Sequence, residues 1–271
     1  AHWSAEIPLL DQCLKSAFSV GAGARCAQLL TLLSKDLLLS EEDKIECLYM
    51  AGLSEETWAE NATGAVERYQ HVLQKRPDHE DAFLRCRQLL LQLNRPEELA
   101  QLLQSRTHVE TRPGVLARLL VDLAELQLLV LQDRPAARLT YMRLVEQVPE
   151  WKPGLSQLAD LHEEASDFEN AISIMKQWLS IETDPVVRCT VCRRLGLAER
   201  QLGHTHAALD WYIQSLELDP NQLDLWEYVV DLHQELADPR KAAWALKKCI
   251  TLQPKMHAKV NYLHRLSDIY E

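Results

Sequence analysis

Helix breakers are scarce in this sequence: 8 glycines and 11 prolines among 271 residues, with leucine far outnumbering the β-branched side chains. Straight and γ-branched side chains lose little rotamer freedom in a helix, so the scarcity argues against a sheet-rich chain and predicts helices throughout. A clean apolar run is also missing. The most apolar stretch, 115–131, is interrupted by Arg118, Asp122 and Glu125 and falls short of a bilayer span, so membrane insertion is not expected. Basic residues are the minority, 29 against 40 acidic, for a formal net charge of -11. That balance repels phosphate backbones and argues against nucleic acid as a direct ligand; an RNA-binding helical repeat ranks last among the readings.

Cysteines show no framework spacing. The seven, at positions 13, 26, 47, 86, 189, 192 and 249, are an odd number scattered along helical patterns. Reduced thiols of this kind predict a cytoplasmic chain, with the nucleus as the other option. The start, Ala1, His2 and Trp3, has neither a basic n-region nor a long apolar core, so no signal peptide is read there. Without an initiator Met, the expectation is a tag remnant or an excised fragment. The sequon Asn61, Ala62, Thr63 matters only in a secreted chain. No glycine-rich phosphate loop, His-Glu-x-x-His helix or nucleophile elbow occurs, so no catalytic residue and no cofactor is assigned, and the chain is not read as an enzyme.

What the sequence does contain is a four-residue signature at spacings of 4, 3 and 5. It reads Ala65, Tyr69, Val72, Pro77; Ala137, Tyr141, Leu144, Pro149; Ala208, Tyr212, Ser215, Pro220; and Ala242, Leu246, Cys249, Pro254. Weaker copies, Leu99, Leu103, Arg106, Thr111 and Ala171, Met175, Trp178, Thr183, fill the gaps, so the anchors step by 34, 38, 34, 37 and 34. A fixed period in this range marks a stack of like supersecondary units. Small anchors allow two helices to approach closely, and Tyr141 and Tyr212 fill the space between neighbouring units.

With Leu195, Gly196, Gly203, Ala207, Ala208, Tyr212, Asp219 and Pro220 in one window, the sequence resembles the tetratricopeptide repeat family, most strongly over 118–254. Glu199 stands where that family prefers an aromatic, and Arg87 and Glu125 where it prefers a small residue. The resemblance implies an all-α, right-handed α-solenoid of helix hairpins. Apolar spacing places the pairs at 41–59 with 62–75, 79–93 with 96–109, 115–131 with 134–147, 152–165 with 168–182, 187–202 with 205–218 and 222–236 with 239–252, leaving 256–270 unpaired. The division read is a divergent cap over 1–39 (Leu10, Leu14 and Ala17; Leu29, Leu33 and Leu37), about six repeats over 40–254, and a capping helix or cut repeat over 255–271, with Val260, Leu263 and Leu266 as its apolar stripe. The extra residues of the two long steps are expected in the joints 107–114 and 182–188.

A metal candidate is weak. Cys189 and Cys192 share a helix face, but at about 1.5 Å per residue His204 and His206 lie too far along to join them, and Cys192 reads as core. His162, His233 and His264 fall on first helices, without carboxylate orienters at matching spacing. The tryptophans Trp151, Trp178, Trp211, Trp226 and Trp244 read as packing.

The family resemblance assigns partner binding to the concave face of the first helices. In the middle those positions are Leu84, Arg85, Gln88 and Leu91, then Leu119, Leu123, Leu126, Leu129 and Val130. Further on they are Asp160, Glu163 and Glu164, then Arg193, Arg194 and Arg200, then Asp224, Glu227, Tyr228 and Asp231. One reading is an apolar trough for a partner peptide or helix, flanked by charged bands that set register. The other is that neighbouring first helices pack together and the bands neutralise each other as surface pairs. The Lys and Asn clamp that some family members use on chaperone C-termini is not reproduced. The chain is therefore read as a non-catalytic scaffold or adaptor for a protein or peptide. Self-association into a dimer or filament through 256–270 is one alternative, and a docking or regulatory arm of a larger enzyme is another.

Overall fold

The computed structural model describes residues 23–35 and 39–270, and these form helices joined by short turns, with no strand among them. In chain order the helices are α1 (Gly23–Leu33), α2 (Glu41–Thr57), α3 (Ala62–Lys75), α4 (Glu80–Gln92), α5 (Pro96–Val109) and α6 (Pro113–Glu125), which runs on through a π-helical turn at Leu126–Val130. Then come α7 (Arg134–Gln147), α8 (Lys152–Glu164), α9 (Phe168–Ile181), α10 (Pro185–Gln201), α11 (Thr205–Leu218), α12 (Leu223–Glu235), α13 (Pro239–Leu252) and α14 (Met256–Tyr270). The all-α class of helix hairpins read from the sequence is the class observed among the described residues. Of the N-terminal helical pair expected over 4–18 and 22–38, the first helix, with Leu10, Leu14 and Ala17, lies outside the described residues, as does Leu37; the second is α1, where Leu29 and Leu33 are exposed rather than packed.

The chain divides into two compact units, the first ending at Thr140 and the second beginning at Tyr141, inside α7. In the first unit α2 pairs with α3 and α4 with α5; their core joins Val66, Tyr69 and Phe83 to Leu90, Leu103 and Leu123. In the second, α8 pairs with α9, α10 with α11 and α12 with α13, and α14 lies on α13. There Tyr212, Leu225, Val229 and Leu246 form a core that reaches Tyr262 of α14.

Every hairpin turns through one residue in the left-handed region: Glu60, Asn94, Gln132, Ser166, Gly203 and Ala237, with φ between 49° and 76°. Each stands five residues ahead of its anchor, so the turns repeat with the same unequal steps as the signature. A single left-handed residue ends the first helix and sends the chain back along it. Only Gly203 has the side chain that makes this conformation free of strain. The alanine anchors behind the turns, Ala65, Ala137, Ala171, Ala208 and Ala242, are fully enclosed. Glycine matters where a tyrosine fills the hairpin: a Cβ on Gly196 would stand 2.3 Å from the Tyr212 ring, and one on Gly52 would stand 2.7 Å from Tyr69.

The long steps are not accommodated as expected. The joint between α5 and α6 and the joint between α9 and α10 are each only three residues, and the added residues instead form an extra N-terminal turn on α6 and α10. Both joints read Glu-Thr-x-Pro, Glu110 to Pro113 and Glu182 to Pro185. The proline opens the longer helix, where its missing N–H is no loss. The buried glutamate caps the turn: Glu110 Oε1 accepts from the backbone N–H of Thr111 and Arg112 at 3.1 and 3.0 Å. Glu182 Oε1 accepts likewise from Thr183 and Asp184 at 2.8 and 3.1 Å. The Arg112 guanidinium and backbone hold the Glu110 carboxyl down to about 2. Lys152 and the Asp184 N–H do the same for Glu182, also to about 2.

Candidate partner-binding face

Helices α4 and α6 present the apolar half of the expected face. The spacing of Leu84, Gln88 and Leu91 puts all three on one side of α4. Leu84 and Leu91 are 52% and 58% exposed, and Gln88 is exposed between them. On α6 the π-helical turn carries Leu129 and Val130 outward, at 72% and 56%. Leu129 occupies in its repeat the position that Leu91 holds in the one before.

Leu119 and Leu123 do not belong to such a face. They are 5% and 3% exposed and sit in the core with Leu90, Leu99 and Leu103. Helix α6 carries leucines on more than one face, so their spacing alone does not say which point inward, and the helices beside it decide. Leu126 is half-buried against the same core. Arg85 is not loose either: its guanidinium donates to both carboxylate oxygens of Glu56 on α2 at 3.1 Å. Tyr69 OH also donates to Glu56, at 2.7 Å.

In the second unit the charged positions are engaged with one another. The Arg194 guanidinium on α10 donates to Asp160 at 2.5 Å and Glu163 at 2.7 Å on α8. Arg193 pairs with Asp224 on α12. Arg265 on α14 reaches Asp231 at 2.7 Å, and Tyr262 donates to Glu227. Tyr228 stacks on Tyr212 with ring centroids 5.8 Å apart, and Arg200 lies 5.3 Å over its ring. The hydrogen-bonded and ion-paired partners stand about one repeat apart in sequence. Opposite charges recurring at that separation were the signal that would have announced the lacing, and α14 contributes the last rung.

The histidines find the orienters that were not anticipated. His162 Nδ1 lies 2.9 Å from Asp167, and His204 Nδ1 lies 2.8 Å from Glu199, the same five-residue relation with acid and base exchanged. The Asn170 amide, and after it His162, lowers the Asp167 carboxyl. Burial pushes the Glu199 carboxyl upward, but His204 and Lys176 outweigh it and leave the net shift downward. His233 keeps a buried Nδ1 without a hydrogen-bond partner, and burial lowers its pKa. His264, on α14, is exposed.

Cys189 is committed elsewhere: the Gln222 amide donates to its sulfur at 3.1 Å, and the Ser215 hydroxyl lies 3.3 Å away. Cys192 is buried. Burial raises the thiols of Cys86 and Cys249 to about 12, which makes them packing residues rather than nucleophiles.

Residues 191–222, which hold most of α10 and all of α11, match the family model described as the tetratricopeptide repeat. No curated protein matches the chain. Among solved structures, YrrB, described as a TPR protein with an unusual peptide-binding site, is similar at 13% identity over 72% of this chain and 97% of its own, with a TM-score of 0.47. A MamA double mutant of RS-1 is similar at 15% identity over 65% of this chain and 94% of its own, with a TM-score of 0.45. PilF of Pseudomonas aeruginosa is similar at 15% identity over 83% of this chain and 84% of its own, with a TM-score of 0.41.

Proposed function

We propose that this chain, which carries a tetratricopeptide repeat, is a non-catalytic protein-protein interaction scaffold that takes a partner's peptide or helix on the first helices of its N-terminal unit. The observation that supports the reading is the outward row of Leu84 and Leu91 on α4 and of Leu129 and Val130 on α6. Four large apolar side chains facing water, two of them at the same repeat position, are costly to leave wet, at roughly 25 cal/mol per Å². Gln88 offers an amide between the leucines, and Arg85, fixed by Glu56, borders them. Leu119 and Leu123, being core, take no part. The charged positions of the second unit, Asp160, Arg193, Arg194, Glu227 and Asp231, and the Tyr228 ring between them, serve chiefly to join one first helix to the next. No helix among the described residues is long and apolar enough to cross a membrane.

The test is partner capture by the wild type and by Leu84→Glu with Leu91→Glu, with helicity followed by circular dichroism. The variant should stay folded and lose its partners; a folded variant that keeps every partner rules this face out. A second reading is favoured by α14, where Val260 and Leu263 face outward as an uncovered apolar stripe. Self-association there predicts a mass that rises with concentration in light scattering and no longer rises in Leu263→Glu.

A further inference from the structure

Charge is unevenly spent along this chain. Between Asp238 and Asp268 lie seven Lys and Arg residues and no carboxylate, although the formal net charge of the whole is -11. Most arginines elsewhere are paired. Here Lys241 pairs with Asp238 and Arg265 with Asp231. Arg240, Lys247, Lys248, Lys255 and Lys259 form no ion pair among the described residues.

The cations are arranged, not merely numerous. Helix α13 buries Ala242, Ala245, Leu246 and Cys249, so the opposite side, with Arg240, Trp244, Lys247, Lys248 and Thr251, faces out at successive turns of about 5.4 Å. Trp244 is the aromatic centre of that stripe, 46% exposed, with its ring held edge-on against buried Trp226 at 5.0 Å. The Lys248 ammonium lies 6.0 Å from the Trp244 ring, and the Lys247 ammonium 5.9 Å from that of Tyr270 on α14. The outcome is an exposed indole braced by Trp226, with Lys248 beside its ring and Arg240 and Lys247 on the same side of the helix.

We infer that the outer face of α13, centred on Trp244, Lys247 and Lys248, is a second docking surface, for an Asp- and Glu-rich peptide segment of a partner protein carrying an apolar residue that rests on the indole. Charge complementarity selects the occupant. Carboxylates along an acidic segment meet the unpaired ammonium groups, while the immobilised indole receives an apolar side chain with little ordering cost. A nucleic acid would present a long polyanion to a molecule that is acidic overall. An anionic bilayer would hold the acidic remainder of the protein in its field too, and Trp244 is the one large apolar side chain the stripe could insert. An acidic segment engages the basic stripe alone. This surface is separate from the leucine row on α4 and α6, so either can fail without the other.

The experiment uses the full chain and fluorescence anisotropy of a labelled peptide of Glu and Asp around one Phe. Its Gln and Asn counterpart, a single-stranded RNA and phosphatidylserine vesicles are run beside it. The acidic peptide should bind, weaken as salt rises, and lose affinity on the order of tenfold or more in Lys247→Glu with Lys248→Glu. Trp244→Ala should weaken it with the salt dependence kept, and Leu84→Glu with Leu91→Glu should leave it unchanged. Circular dichroism confirms that each variant is folded. Absence of binding at low salt, equal binding by the charge-reversed variant, or tighter binding to RNA or vesicles than to peptide would each overturn the inference.

Discussion

The two units line up their first helices with different chemistry. The repeat position held by Leu91 and Leu129 in the first unit is held by Glu163 and Arg200 in the second. In the first, these side chains are left facing water while single ion pairs, Arg85 with Glu56 and Arg87 with Asp122, join neighbouring first helices. In the second, one arginine is shared by two carboxylates, and further pairs continue to α14. Hairpins of the same kind thus tolerate opposite surface chemistry. Residues that only lace helices together are spent internally, whereas an uncovered apolar row remains available for binding.

The largest test separates inside from outside on α6. Leu123→Glu places a carboxylate in the core of the first unit and should cost on the order of 4 kcal/mol. Leu129→Glu should stay within about 0.5 kcal/mol. Hydrogen exchange should show α4 and α6 losing protection only in the former; equal costs would mean that the two leucines are not on opposite sides. Next comes the lacing. Arg194→Ala strands Asp160 and Glu163 beside each other and should destabilise by about 2 kcal/mol, less at high salt. Its counterpart Arg85→Ala, facing a single partner and more exposed, should cost less than about 1 kcal/mol in chemical denaturation. Equal losses would erase the contrast between the units.

Where the units ought to agree, they can be tested for agreement. The folded values of Glu110 and Glu182 both lie near 2, below the ordinary value of 4.5. Their contribution is complete above that ordinary value and drains away as pH falls from it toward about 2, because the unfolded chain then takes up the protons first. Thermal melts over this range should flatten in Glu110→Gln and in Glu182→Gln alike; a response to one alone would show that the two Glu-Thr-x-Pro joints are not equivalent. The smallest effects belong to the turns. Glu60→Gly in one unit and Ala237→Gly in the other should each gain about 1 kcal/mol by relieving a left-handed non-glycine residue, and Gly203→Ala should lose as much. Nothing lies within 4 Å of the Cβ added to Gly203, so the loss is purely a backbone one.

The helix boundaries were legible to within about two residues because apolar spacing and prolines act locally. The left-handed turns were not, since Glu60, Gln132, Ser166 and Ala237 are residues without a marked taste for that conformation, and closure of the hairpin imposes it. Spacing places the extra residues of the long steps at the joints but does not say whether they lengthen a loop or a helix. Pro113 and Pro185 read equally well as breakers or as the first residues of a helix, and the buried glutamates before them decide for the latter. On the candidate face, Leu84, Leu91, Leu129 and Val130 are exposed. Leu119 and Leu123 are not, and the acidic and basic bands turn out to be each other's partners.

The sequence by itself determined the period, the all-helical class and the order of the hairpins, because each is encoded by spacings within a turn or two of helix. Only the tertiary structure decided which leucines of α6 face water, which charges cancel and which cations on α13 stay unpaired. Burial and ion pairing depend on side chains a full repeat away, and a local pattern carries no record of what stands opposite it.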